Sequence, residues 1–160
     1  MSMNCVLYAV QLPRAERLRE LEDEEEFFQE LENCPKMEIG KEWHGLHYLL
    51  TGTAAEFRGA EGFLVDGGEE VGPEIGYGPA RLFSPREVDD IHSVLVDISP
   101  DELWSRFDAD EMTADQVYPS LDWHEEPELK RQVYQRTYAE LKKFVDEASR
   151  RGQCVVVTMG

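Results

Sequence analysis

Residues 41–52, KEWHGLHYLLTG, constrain the fold more than any other stretch, because they join an apolar helical face to an explicit stop signal. At 3.6 residues per turn Trp43, Leu46 and Leu50 share one face, with His47 and Leu49 beside them, which is the spacing of a helix packed on a core. Gly52 stands where a left-handed residue closes a helix. His44 and His47 are three positions apart, near enough on one side of a helix for both imidazoles to reach one metal ion or one ligand. The competing reading makes His47 a hydrogen-bonded residue at the core edge and His44 a surface residue beside Trp43. No cysteine or third histidine stands at zinc-finger spacing, so neither a metal nor a cofactor is expected.

The chain ends supply what that helix docks against. Residues 3–12, MNCVLYAVQL, read as a largely buried strand ended by Pro13, and residues 153–159, QCVVVTM, as a short apolar strand central in a sheet. The two terminal strands are expected to be neighbours. Between them strands alternate with helices, which points to an α/β fold bordering on α+β. The expectation is one three-layer-like domain over residues 1–160, with a central mixed sheet containing both terminal strands and helices on its faces.

Residues 14–33 carry a charged helical pattern whose apolar phase shifts near Asp23, predicting two short helices with Asp23 capping the second. Residues 33–40 read as a connector. The glycine-rich residues 53–78 read as a long irregular segment with a short strand over 62–66. No GKS or GKT follows these glycines, and Glu69, Glu70 and Glu74 would repel a phosphate, which excludes a nucleotide cradle. Tyr77 and Arg81 are placed to line a small cleft. A strand over 80–83 leads to a helix marked by Ser84, Pro85 and Glu87, with His92 partly buried on its inner side. The same signature recurs at Ser99, Pro100 and Glu102, and more weakly at Asp108 and Glu111. An aromatic loop over 117–123 contains Tyr118, Pro119 and Trp123. The longest helix, 126–151, is expected to turn Leu129, Val133, Leu141, Phe144, Val145 and Ala148 inward, with Gly152 closing it.

The strings WHGLHYLLTG, GYGPARLFSPREV and YPSLDW, with the MSMNCVLYAV start and CVVVTMG end, resemble the YfbM-like family of uncharacterised bacterial proteins, domain of unknown function 1877. The resemblance runs over nearly the whole chain. It implies a single compact domain with a central sheet flanked by helices, and it carries no activity and no catalytic residues.

Composition narrows the functional classes. With 16 Lys and Arg against 34 Asp and Glu, the formal net charge is −18, which repels nucleic acid and anionic membranes and attracts a basic protein. Its densest acidic run is Glu20, Glu22, Asp23, Glu24, Glu25 and Glu26, read either as a solvated face or as a surface for a basic partner. Cys5, Cys34 and Cys154 are unpatterned and read as reduced thiols. No export signal or long apolar run is present, so a soluble cytoplasmic protein is expected. Two functions fit: a non-enzymatic binding protein of inhibitor or immunity type engaging a basic partner, or a small-molecule binder or hydrolase-like enzyme. The second would use a cleft formed by Trp43, His44, His47, Tyr77, Arg81 and Tyr118, with histidine as acid or base and Arg81 holding a carboxylate.

Overall fold

A computed structural model describes residues 2–160 as five strands and seven α-helices. The first half runs β1 (Cys5–Val10), α1 (Leu12–Glu20), α2 (Glu24–Leu31), β2 (Lys36–Gly40), α3 (Trp43–Thr51) and β3 (Glu69–Glu74). The second half runs β4 (Pro79–Phe83), α4 (Pro85–Val96), α5 (Pro100–Trp104), α6 (Ala109–Ala114), α7 (Pro127–Arg150) and β5 (Cys154–Met159).

The strands form one sheet in the order β2-β1-β5-β4-β3, so the two terminal strands are neighbours and β5 is central. Cys5 lies opposite Met159 and Val10 opposite Cys154, and Asn4 and Gly160 exchange backbone hydrogen bonds of 2.8 and 3.0 Å beyond the ladder. Every strand pair is antiparallel, where a mixed sheet was expected. The reason lies in the connections. A single helix between two strands reverses the chain once and makes them parallel, whereas two helical passes return it to the end it left. α1 and α2 make such a pair between β1 and β2. α4 and α7 make another between β4 and β5, running antiparallel with Asp89 bonded to Ser149 and His92 to Asp146.

Side-chain alternation gives the sheet two cores. Leu7, Ala9, Phe83, Val155 and Val157 face a large one shared with α3, α4 and α7, while Val10, Leu82, Cys154 and Val156 face a smaller one roofed by Leu18, Phe27 and Leu31 of α1 and α2. This is the three-layer arrangement. The helix starts follow the expected caps: Asp23, Ser84, Ser99 and Asp108 each accept a hydrogen bond from the backbone N–H three residues on, and Ser84 with Glu87 closes a full capping box.

Three local expectations are corrected. Residues 36–40 form an edge strand instead of a connector, with Met37 and Ile39 alternating into the core. Residues 60–62 form a 3-10 turn, and the strand expected over 62–66 lies instead at Glu69–Glu74, where only Val71 is buried. On α7 the inward face is Tyr134, Tyr138, Leu141, Val145 and Ala148, while Leu129 is 52% exposed because the first turn of the helix overhangs the core.

Candidate functional site

α3 is the hub of the large core. Its nine residues end at Gly52, whose φ of +83° takes the left-handed closing conformation, and all but His44 and Thr51 are buried. Gly45 lets α7 approach: a β-carbon there would sit 2.7 Å from Cε1 of Tyr134. Trp43 donates its Nε1–H to the carbonyl of Met3 at 3.0 Å and stacks on the rings of His44 and Tyr118.

The two histidines fasten backbone. The N–H of Tyr118 donates to His44 Nδ1 at 2.9 Å, so the proton of that imidazole is on Nε2, which donates to the Ala54 carbonyl at 2.9 Å. His47 is fully buried and its Nε2 donates to the Ala55 carbonyl at 2.7 Å. Burial lowers its proton affinity, partly offset by that bond, and its Nδ1 has no partner among the described residues. With ring centroids 6.4 Å apart, the pair holds two successive carbonyls of the loop after α3 and presents no free face to a substrate.

Arg81 reaches across from β4 to the same loop system. Its Nη1 donates to the carbonyls of Phe63 and Gly67 at 2.9 and 3.1 Å, and its Nη2 to that of Leu64 at 2.8 Å. Burial lowers its pKa, and no carboxylate of the described residues lies within ion-pair distance. Arg81, Trp43 and Tyr77 line one cavity of about 320 Å³ together with Leu64, Glu70 and Val157. Tyr118 lies elsewhere: its hydroxyl accepts from the Met3 N–H at 2.9 Å, and it borders a separate hollow beside Pro119. The expected cleft is therefore divided. Trp43, Tyr77 and Arg81 come together, while His44, His47 and Tyr118 are engaged with backbone outside that cavity.

On the other side of the sheet Glu20, Glu22, Asp23, Glu24, Glu25 and Glu26 form the corner between α1 and α2, all exposed. None of the six joins an ion pair within the described residues. The arginines of α1 are engaged elsewhere, Arg14 and Arg17 with Glu30, and Arg19 with Glu16 and Glu69. Beside this corner α1 and α2 cover the β3 side of the sheet and leave the β2–β1 end open. Tyr8 and Phe28, both half-buried, form a ridge between hollows of about 410 and 380 Å³, the first rimmed by Glu25, Glu32 and Lys36, which pairs with Glu38 at 3.4 Å, and the second by Glu24. Phe28 packs against the edge of the smaller core. Its ring meets Phe27 edge-on at 5.7 Å, with Phe27 taking the fully buried position.

The family model of DUF1877, a domain of unknown function, matches residues 1–158. The chain belongs to the DUF1877 family. Among solved structures it is similar to YfbM of Escherichia coli, described as a protein of unknown function. The TM-score is 0.76 at 18% identity, over 98% of this chain and 99% of YfbM, which shows a shared fold. A comparison with curated proteins finds no match.

Burial pushes the Cys5 thiol up to about 12 and raises those of Cys34 and Cys154, so none is a ready thiolate near neutral pH. Among the described residues no three of His, Cys, Asp or Glu converge to hold a metal ion, and no helix is long and apolar enough to cross a membrane.

Proposed function

We propose that this DUF1877 domain is a non-enzymatic binding protein that engages a basic protein partner on the α1–α2 side of its sheet, in the manner of a small acidic inhibitor or immunity protein. The observation that carries the reading is the pairing of two features on one surface. Six exposed carboxylates without ion-pair partners among the described residues stand next to an apolar ridge, Tyr8 and Phe28, that packs on the edge of the smaller core and stays only half-buried. Carboxylates alone give steering and a salt-dependent on-rate, but little bound-state energy in water. Aromatic anchors flanked by hollows supply the desolvated centre that binding energy needs. The occupant that fits both is a basic segment with apolar side chains between its cations. The net charge of −18 adds long-range attraction to it and repels acidic competitors.

Capture from an extract of the native host, at low ionic strength, tests this. The wild-type chain is expected to retain a basic protein that is released when salt reaches on the order of 1 M, where screening acts over about 3 Å. The same protein is expected to be lost with Phe28→Asp and with a triple Glu22→Gln, Glu24→Gln, Glu25→Gln chain. Retention of nothing, or equal retention by all three chains, contradicts the proposal.

A further inference from the structure

The cavity on the opposite face of the sheet, where β4 meets α3, has the chemistry of a small-molecule site. We propose that it binds an apolar α-amino acid as its zwitterion, the carboxylate on Arg81, the ammonium on Glu70, and the side chain against Tyr77 and Met159.

Arg81 supplies the first argument. Three of its five N–H groups are taken by the carbonyls of Phe63, Gly67 and Leu64, leaving Nε–H and one proton of Nη2 without partners among the described residues. A guanidinium partly withdrawn from water is stable only where charge or hydrogen bonds compensate it, and here carbonyl dipoles do so at hydrogen-bond distance while Asp66 and Glu70 act from beyond ion-pair distance. Two uncommitted donors on one planar fork match the two oxygens of a carboxylate.

Glu70 supplies the second. It lies directly opposite Arg81 in the β3–β4 ladder, so the two side chains leave the sheet on the same face and both reach the cavity. Glu70 is exposed, joins no ion pair within the described residues, and puts a negative charge at the rim. That charge, on a chain of net −18, works against a ligand that is only an anion. A ligand carrying both signs escapes the repulsion and satisfies both groups.

The remaining wall selects an apolar body. Tyr77 is exposed and Val65 and Met159 are half-buried, so their side chains offer apolar surface over a buried floor of Leu64, Val157 and Trp43, whose one N–H is already given to Met3. About 320 Å³ stands at the lower end of the range for small-molecule sites, which suits an amino acid and excludes a dinucleotide.

Calorimetry with L-leucine and L-phenylalanine tests the site, alongside L-leucinamide, which lacks the carboxylate, and 4-methylpentanoate, which lacks the ammonium. At least one amino acid is expected to bind, and removal of either charge from leucine or its counterpart is expected to weaken binding about tenfold or more, the scale of one charged hydrogen bond. Because Arg81 also ties down a loop, Glu70→Gln is the informative variant. It should keep the fold by circular dichroism, weaken the amino acid about tenfold, and leave 4-methylpentanoate no weaker. Phe28→Asp, on the other face, should leave amino-acid binding unchanged, which separates this site from the partner surface. No binding of either amino acid up to about 10 mM, well above a millimolar Kd, overturns the proposal. So does leucinamide binding as tightly as leucine, or an amino-acid affinity that Glu70→Gln does not change.

Discussion

Replacing Gly45 by alanine ought, on helix propensity alone, to stabilise the domain by about 1 kcal/mol, because glycine is the poorest non-proline residue in a helix interior. The structure reverses that sign. A β-carbon on Gly45 would stand 2.7, 2.8 and 2.9 Å from Cε1, Oη and Cζ of Tyr134, against an optimum of roughly 3.5–4.0 Å for such contacts. Tyr134 has little room to retreat, being only 4% exposed with its ring centroid 6.0 Å from that of Trp104 and 5.7 Å from that of Trp123. Overpacking of this kind costs about 1–3 kcal/mol, so after the propensity gain Gly45→Ala is expected to be destabilising by up to about 2 kcal/mol. For a domain of this size each kcal/mol lowers Tm by roughly 2–4 °C. Urea denaturation of a double-mutant cycle isolates the contact. In a Tyr134→Leu background, itself less stable because the smaller side chain leaves a cavity, the same glycine substitution should now stabilise by about 1 kcal/mol. That leaves a coupling of about 1–3 kcal/mol between α3 and α7. A Gly45→Ala chain more stable than wild type, with no coupling to position 134, would refute the placement of the Tyr134 ring over α3 and the packing of the large core with it.

Two histidines should respond to pH with opposite signs. His47 has its proton affinity lowered by burial, so its contribution is fully present above the unfolded value of about 6.5 and is lost as pH falls toward the folded one. The stability gap between wild type and His47→Gln should therefore shrink from about pH 7.5 to about pH 5.5, and a constant gap would contradict the burial. His124 has its affinity raised by hydrogen bonds to Asp122 and Asp110. Its contribution is present below about pH 6.5 and fades as pH rises through the folded value, so the gap to His124→Gln should narrow toward alkaline pH and in high salt. Ser84→Ala removes one half of a capping box and should cost about 1 kcal/mol by thermal melting, with a loss under about 0.3 kcal/mol showing that the cap contributes nothing.

Local signals in the sequence carried the helices well. Asp23, Ser84, Ser99 and Asp108 each declare a helix start through the residue three positions on, and Gly52 declares a stop through a conformation only glycine adopts cheaply. The edge strands were less legible. β3, EEVGPE, buries one side chain and carries a glycine and a proline, so its composition is that of a loop and its pairing comes from β4. β2 shows only two inward residues, Met37 and Ile39, next to a proline. On α7 an aliphatic count favours Leu129, whereas the core is built from Tyr134 and Tyr138, whose hydroxyl donates to the Ile98 carbonyl at 2.8 Å. The site was legible in part. Trp43, Tyr77 and Arg81 do converge, but spacing along a helix says nothing about backbone partners far away in sequence. His44 is committed by residue 118, which lies 74 positions on. Tyr8 and Phe28 were missed as surface residues because β1 is almost wholly apolar, which hides its alternation, and because Phe27 and Phe28 read as one apolar step.

The most direct test of the proposed partner surface is residue-resolved. An isotope-labelled chain titrated at low salt with a synthetic peptide alternating lysine and valine should show amide shifts concentrated at Tyr8, Glu24, Glu25 and Phe28, abolished by Phe28→Asp. Shifts scattered over the acidic residues of α4 and α7, or undiminished in the Phe28→Asp chain, would contradict it.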